Sequence, residues 1–445
     1  MKLKFSGGRP VKDSRTEFMP ILNDKLEKEV ISFLNSDNGG DVLVGISYDG
    51  AVLGVDSYGD VLHVIADRLR VNISPSCLGL IDVVPVTSGG KTFIRVIVAR
   101  GTEQPYYLRL VGKSSAGCFC RKDGIIRQMD TERIKELSGN KDLSAMNNIV
   151  SPRNAEHTFA LLRIYYEEKG IRMIDDIRKT LDLYTEEGKL NYAAYLLSDS
   201  NSTSFKIIKY AGTERTEMTE TNEYGGSCLI RSADKILDKL EVENRTFTVR
   251  TENDEIKKNR LVKPEVLKEV FLNALLHNDY SRDIMPEIEI FSDKIAVTSF
   301  GKLPGQLDDN SFCSGFPIPR NRELIRVFKD LGYTGELGSG IDNILESYDS
   351  SIFKINDNSL EVVLPFAEEF KMKSSGKSKA EKIHIRTRDR IIEIMKKDPS
   401  VTAVKLAVLT GVSRKAVEWH LKKMRNSGIV KREGSRKTGF WIIRV

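Results

Sequence analysis

The chain has little from which to build a membrane span or a covalent framework. No apolar run in its 445 residues approaches the about 18 needed to cross a bilayer. The opening segment, Met1 to Pro10, is polar and glycine-containing with no apolar stretch, so no signal peptide is expected. Five cysteines are too few, and odd in number, for a disulfide framework, which points to a reducing, cytoplasmic setting. Cys118 and Cys120 lack a two-residue spacer and a partner histidine, so no zinc site is expected. Solenoid repeats and heptads are absent as well. What remains, at 40% hydrophobic and 30% charged residues, is the composition of a soluble globular protein of two to four domains.

The formal net charge of +6 is unevenly distributed. Lys371 to Val445 holds 21 basic and 6 acidic residues, a net of +15, whereas Met1 to Phe370 holds 48 and 57, a net of −9. A mildly acidic body with a strongly basic end predicts contact with a polyanion through that end. Lys371 to Lys382 (KMKSSGKSKAEK) reads as a flexible linker after a last strand at Leu360 to Phe366. A softer boundary follows a short helix at Asp130 to Leu137, in the turn-forming stretch Ser138 to Pro152. The expected divisions are 1–140, 141–370, a linker at 371–384, and 385–445.

In the basic piece, Ile391, Ile392, Ile394 and Met395 mark a first helix, ended by Asp398-Pro399. Val401 to Thr410 suits a second. Gly411-Val412-Ser413 supplies a turn and an N-cap for a third, from Arg414 to Asn426. On a helical wheel Val417, Leu421 and Met424 share the packing face, while Lys415, Glu418, Trp419, Lys422 and Asn426 oppose it. Ser427-Gly428 stops this helix, and Ile429 to Arg432 and Gly439 to Arg444 read as two strands around Glu433 to Thr438. This order resembles a winged helix-turn-helix, whose third helix enters the major groove of double-stranded DNA. Ser413, Arg414, Lys415, Glu418 and Trp419 are assigned to groove contact, and Lys422, Lys423, Arg436 and Lys437 to phosphates. Trp419 has a second reading, packed under the wing. Winged helices also serve as protein-interaction modules, which the +15 charge argues against here.

At the other end, Lys25 to Asn35 predicts an amphipathic helix, Asp41 to Ser47 a strand and Ala51 to Val55 its returning partner across Asp49-Gly50. A helix near Asp60 to Val71 and a hairpin of Leu80 to Val86 and Thr92 to Val98 follow. Thr16-Glu17-Phe18, Phe33-Leu34-Asn35, Asn38-Gly39-Gly40, Val44-Gly45-Ile46 and Asp49-Gly50 with Gly54 resemble the AlbA-type, Schlafen-like domain of bacterial transcriptional regulators. The resemblance implies nucleic-acid binding, and in some Schlafen proteins RNA cleavage by an acidic cluster. Where the nucleases carry two further acids and a lysine, this chain has Lys12, Tyr48 and Met19, leaving Glu17 with Asp13 and Asp49 displaced. One Glu does not hold a divalent cation, so no nuclease activity is expected. Scaffolding or dimerisation is the alternative role.

In the middle piece, Asn154 to Lys169 and Asp175 to Leu183 look helical, and Lys206 to Tyr210 and Arg245 to Thr251 look like strands. Val266 to His277 is a strong helix pattern, followed by strands at Glu287 to Phe291 and Lys294 to Thr298. Glu269-x-x-x-Asn273, His277-Asn278-Asp279-Tyr280, the glycine turn Gly301 to Gly305 and the turn Gly335 to Gly340 come in that order. The set resembles the ATPase-like domain that accompanies AlbA-type domains, with the GHKL fold of histidine kinases and gyrase. The resemblance implies ATP with Mg²⁺. Asn273 would hold the metal, Glu269 would orient water if hydrolysis occurs, and Asp279, Gly301, Gly305, Gly338 and Gly340 would line the nucleotide. Ser299-Phe300 stands where such proteins carry an adenine-reading Asp. The alternative is a structural network of Glu269, Asn273, His277 and Asp279 at a dimer interface, with Arg320 and Asn321 capping a helix. Gly112-Lys113-Ser114 and Gly376-Lys377-Ser378 lack the earlier glycine of a phosphate-binding loop, which excludes a helicase motor of that kind.

The whole reads as an α+β multidomain chain: an AlbA-type α/β domain, a GHKL-like α/β sandwich and a winged helix-turn-helix. The expected function is a dimeric, DNA-binding transcriptional regulator with a nucleotide- or effector-sensing body and no turnover. An ATPase or nucleic-acid-processing enzyme delivered by its winged helix is the alternative.

Overall fold

The computed structural model describes residues 3, 5–122, 124–139, 145–152, 157–173, 176–250, 256–302, 319–368, 370, 387–410, 412–426, 429–433 and 440–443. The expected linker, Leu303, Pro304, Gly305, Gly411, Ser427, Gly428, Arg436 and Lys437 lie outside the described residues. The chain forms two compact units, Met1–Ala367 and Glu368–Val445.

The first lobe of the larger unit opens with a small ribbon, β1 (Phe5–Ser6) and β2 (Arg9–Pro10). Its main sheet has the order β3 (Thr16–Met19), β4 (Gly40–Val44), β7 (Lys91–Val98), β6 (Ile81–Ser88), with β3 parallel to β4 and the rest antiparallel. Every residue of β4 is buried, as a central strand covered on both faces requires. Helix α1 (Leu26–Leu34) and helix α2 (Tyr58–Asn72) cover one face through Leu26, Val30, Phe33, Ile65 and Leu69. Two carboxylates on α1 are buried beside the apolar side chains because each has a guanidinium partner: Arg68 for Glu27 at 2.6 Å and Arg121 for Glu29 at 2.7 Å. A small ladder joins β5 (Ile73–Ser74) to β8 (Tyr107–Leu108), and β9 (Phe119–Lys122) pairs with β10 (Ile125–Gln128) before α3 (Thr131–Gly139).

The expected return strand at Ala51 to Val55 is not formed. Gly45 (φ +94°) and Gly54 (φ +85°) take left-handed conformations that break the extended path. Only an Ile46–Val52 bridge remains, with the amides of Leu53 and Gly54 turned back onto the Gly45 carbonyl.

The second lobe is a two-layer sandwich. Helices α4 (Ala160–Glu168), α5 (Ile177–Thr180) and α6 (Tyr192–Leu197) precede its sheet. The six strands are ordered β12 (Met218–Gly225), β11 (Ser204–Tyr210), β15 (Glu287–Ile290), β16 (Lys294–Phe300), β18 (Ser359–Pro365), β17 (Phe353–Asn356). Phe205, Ile207, Ile288, Ile290, Ile295, Val297, Val362 and Leu364 alternate onto the buried face. Helices α7 (Leu229–Glu243) and α8 (Pro264–His277) contact the sheet. Across the other face the register lines up Glu223, Lys206, Glu287, Thr298, Glu361 and Lys354, and Arg215 bonds both Glu289 and Glu361. A separate ribbon joins β13 (Thr246–Arg250) and β14 (Ile256–Arg260).

Two expected helices are shorter than their sequence pattern. The first begins at Ala160 rather than Asn154, because the distant Asp199 carboxylate accepts the Ala160 and Leu161 amides, both at 2.8 Å, and caps it there. Residues 153–156 lie outside the description. The second is confined to α5, capped by Asp176 at its start and followed by Asp182 in a left-handed conformation (φ +56°). Helix α7 and helix α9 (Arg322–Asp330) were not anticipated, although the Leu229, Ile230, Ala233, Ile236, Leu240 spacing of α7 is helical.

In the smaller unit, helices α11 (Thr387–Lys397), α12 (Ala403–Thr410) and α13 (Arg414–Asn426) precede strands β19 (Val430–Glu433) and β20 (Phe440–Ile443); α10 (Gly340–Leu345) belongs to the larger unit. Ile391, Met395, Leu406, Val417, Leu421, Met424, Val430 and Trp441 make the core.

Candidate nucleic-acid interface and nucleotide site

On α13 the packing face is the expected one, and the opposite face is polar and exposed. Ser413 caps the helix, its Oγ accepting the Ala416 amide at 3.2 Å. Lys415, Glu418, Lys422, Lys423 and Arg425 are exposed. Arg414 pairs with Glu418 at 2.8 Å, so the one acid on this face is neutralised locally. Trp419 is 48% exposed on the outer face, with Lys423 Nζ 5.1 Å from its ring centre. The buried tryptophan is instead Trp441, on the wing strand β20, which donates from Nε1 to the Val401 carbonyl at 3.0 Å and lies beneath the Arg432 guanidinium. An exposed aromatic between cations is chemically suited to phosphates and base edges.

In the larger unit, α8 places Glu269, Asn273 and His277 one turn apart. Asn273 Nδ2 donates to Glu269 Oε1 at 3.2 Å. Burial raises the Glu269 carboxyl above its usual range, with the Asn273 bond and Lys268 opposing. Gly340, which opens α10, is seated directly on this pair: a β-carbon there would overlap Glu269 Oε1 and come within 3.0 Å of Asn273 Nδ2. Gly338 lies in the same turn with φ +75°.

Past the end of α8, the chain is laced to the end of β16. Asn278 Oδ1 accepts the Phe300 amide at 2.9 Å, and the Asp279 amide donates to the Phe300 carbonyl at 2.8 Å. Asn321 does not cap α9 with its side chain; Nδ2 donates to the carbonyls of Leu276 and Asn278 and fixes the α8 terminus. Arg320 Nη1 pairs with Asp279 at 3.3 Å, and a β-carbon at Gly301 would collide with both residues. Sequence spacing showed no acid before Gly301, yet the fold delivers Asp279 to it from 22 positions away, already paired with Arg320. Burial, and then Arg320, lowers the His277 pKa to about 4, so the ring is neutral at neutral pH.

Two clusters therefore form, one on α8 and one just past its end: Glu269 and Asn273 with Gly340, then Asp279 with Gly301 and Arg320. Gly305 lies outside the description. The Asn273 carboxamide oxygen and the Glu269 carboxylate are the oxygen donors chemically suited to a magnesium nucleotide, and the missing side chains of Gly340 and Gly301 let the backbone approach these residues closely.

In the first lobe, Glu17 is held as a structural ion. It accepts from Lys12 at 3.1 Å and from Arg121 at 2.9 Å, and Arg121 also bridges to Glu29 while stacking 4.2 Å from the Phe33 ring centre. Arg121 was not singled out from sequence; nothing in its local spacing marks a partner 104 residues away.

Comparison with known proteins matches three family models to the chain. "Schlafen, AlbA_2" matches residues 11–130. "Putative ATP-dependent DNA helicase recG C-terminal" matches residues 284–363. "Winged helix-turn-helix DNA-binding" matches residues 386–431. No curated protein matches. Among solved structures, the DIP2311 protein from Corynebacterium diphtheriae is similar at 18% identity and a TM-score of 0.49, over 99% of this chain and 94% of that one. The chain is thus an α+β multidomain protein in which Schlafen-like AlbA-type, ATPase-like and winged helix-turn-helix domains are matched.

Proposed function

We propose that the protein is a cytoplasmic, dimeric transcriptional regulator that reads double-stranded DNA through its winged helix. The observation that carries this reading is the outer face of α13, where Lys415, Lys422, Lys423 and Arg425 are all exposed around Trp419. One module of this size contacts a short half-site, and two copies related by a dyad would contact half-sites one helical turn, about 34 Å, apart. Ser413, Arg414, Lys415, Glu418 and Trp419 face the groove, and Lys422 and Lys423 the backbone. The test is the affinity of the full chain for genomic DNA fragments recovered from cells. Lys415→Ala and Lys422→Ala should each weaken binding, and unchanged affinity would overturn the reading.

The body is proposed to sense ATP with Mg²⁺. Asn273 would hold the cation, and the Gly301, Gly338 and Gly340 region would approach the phosphates. When bound, the ion neutralises phosphate charge and Glu269 can orient water. Calorimetry checks this: binding should require magnesium and disappear in Asn273→Ala. The nucleolytic alternative is disfavoured by the pairing of Glu17 with Lys12 and Arg121. RNA and single-stranded DNA should stay intact with Mn²⁺ or Mg²⁺. Cleavage abolished by Glu17→Ala would reverse this conclusion.

A further inference from the structure

The turn at 336–340 is gripped from both sides. On the first-lobe side, Leu337 packs against that lobe's apolar core, and its amide donates to Asp82 Oδ2 on β6 at 2.8 Å. Asp82 is buried and also contacts Lys329 of α9. Glu336 lies 4.0 Å from Arg95 on β7, itself locked to Asp41 by two bonds of 2.9 and 3.0 Å. On the second-lobe side, Gly340 fills the space in front of Glu269 and Asn273. Between these grips the backbone is braced, with Ser339 Oγ donating to the Glu336 carbonyl at 2.7 Å. Leu337 and Gly340 are three residues apart, a span of at most about 11 Å when fully extended. The turn has little slack to absorb a displacement at one end.

We propose that this turn is a latch that couples occupancy of the Asn273 site to the first lobe. A cation–phosphate ligand engaging the Asn273 carboxamide takes the space that Gly340 fills. The turn lifts, the Leu337 amide leaves Asp82, and Leu337 withdraws from the first-lobe core. The two positions, seated and lifted, are the states that the ligand discriminates. Linkage makes the effect reciprocal: a partner that loosens β6 around Asp82 favours ligand at Asn273. The nucleotide reading supplies only the probe; the latch itself rests on the contacts above.

The test is hydrogen exchange read by mass spectrometry on the full-length protein, with and without magnesium ATP, beside calorimetry of the same samples. Saturating nucleotide should raise exchange roughly tenfold in 336–340 and in β6 together, the factor set by losing about one hydrogen bond. Gly340→Val, which wedges the turn off Glu269, should produce the same joint change without nucleotide; Gly340→Ala serves if the larger side chain prevents folding. Nucleotide binding with changes confined to the second lobe overturns the latch and leaves the nucleotide reading intact. No calorimetric binding, with a joint change in the Gly340 variant, defeats the nucleotide reading and supports the latch. A Gly340 variant that leaves β6 unchanged overturns it.

Discussion

The two tryptophans of the chain are both in the winged helix, and the structure gives them opposite jobs. Trp441 is 6% exposed. Its amide donates to the Pro399 carbonyl at 2.7 Å, its indole donates to Val401, and its ring carries Arg432. It therefore ties the wing to the segment between the first two helices. Truncating a buried aromatic of this size costs about 3–5 kcal/mol, and the orphaned Val401 carbonyl adds about 1 kcal/mol. A domain of some 60 residues has only about 3–9 kcal/mol in total. Trp441→Ala should therefore leave the winged helix unfolded or barely folded at 25 °C. Trp419→Ala removes a half-exposed ring whose described ring contacts are with Lys423 and His420. It should change stability by less than about 0.5 kcal/mol while lowering DNA affinity roughly tenfold. Tryptophan fluorescence suits the measurement because the body contains none. In the Trp419→Ala protein, Trp441 alone reports urea unfolding of the winged helix. A cooperative transition in Trp441→Ala at the wild-type midpoint, or a large midpoint loss in Trp419→Ala, would refute the assignment.

Arg121→Ala leaves Glu17 and Glu29 without their shared buried partner and should cost the first lobe about 3–5 kcal/mol, read as a fall in its thermal midpoint. His277 supplies a pH dependence. Its folded pKa of about 4 lies below the ordinary histidine value of about 6.5, so the unfolded chain binds the extra proton in that interval. Its stabilising contribution is complete above about pH 6.5 and is lost as pH falls toward about 4, by up to about 3 kcal/mol. His277→Gln should flatten that loss in urea titrations at pH 7 and 4.5. Ser413→Ala removes the cap of α13 and should cost about 1 kcal/mol in the Trp441 fluorescence transition.

What was legible in the sequence was what depends on local periodicity. The α13 wheel placed Val417, Leu421 and Met424 inward, and all three are buried. The hairpin around Gly89-Gly90 is likewise found as β6 and β7. Misread features depend on partners far along the chain. Asp199 sets where α4 begins, Arg121 gives Glu17 its role, and Arg320 pairs with Asp279 across 41 positions. Ala51 to Val55 has strand-like residues, but left-handed glycines, Gly50 just before the segment and Gly54 within it, override them. The two readings of Trp419 could not be separated by spacing, because the competing indole, Trp441, approaches from the wing.

The central claim, that DNA is read by the exposed cationic face of α13, is tested most directly by the salt dependence of binding. Full-length protein is compared with a Lys415→Ala, Lys422→Ala, Lys423→Ala variant on one double-stranded fragment across a range of ionic strength. Each lost phosphate contact should reduce the slope of log affinity against log salt by about 0.9. Loss of the two phosphate contacts, at Lys422 and Lys423, should therefore flatten the line by about 1.8, with the Trp441 unfolding transition preserved. An unchanged slope in the folded variant would contradict the account.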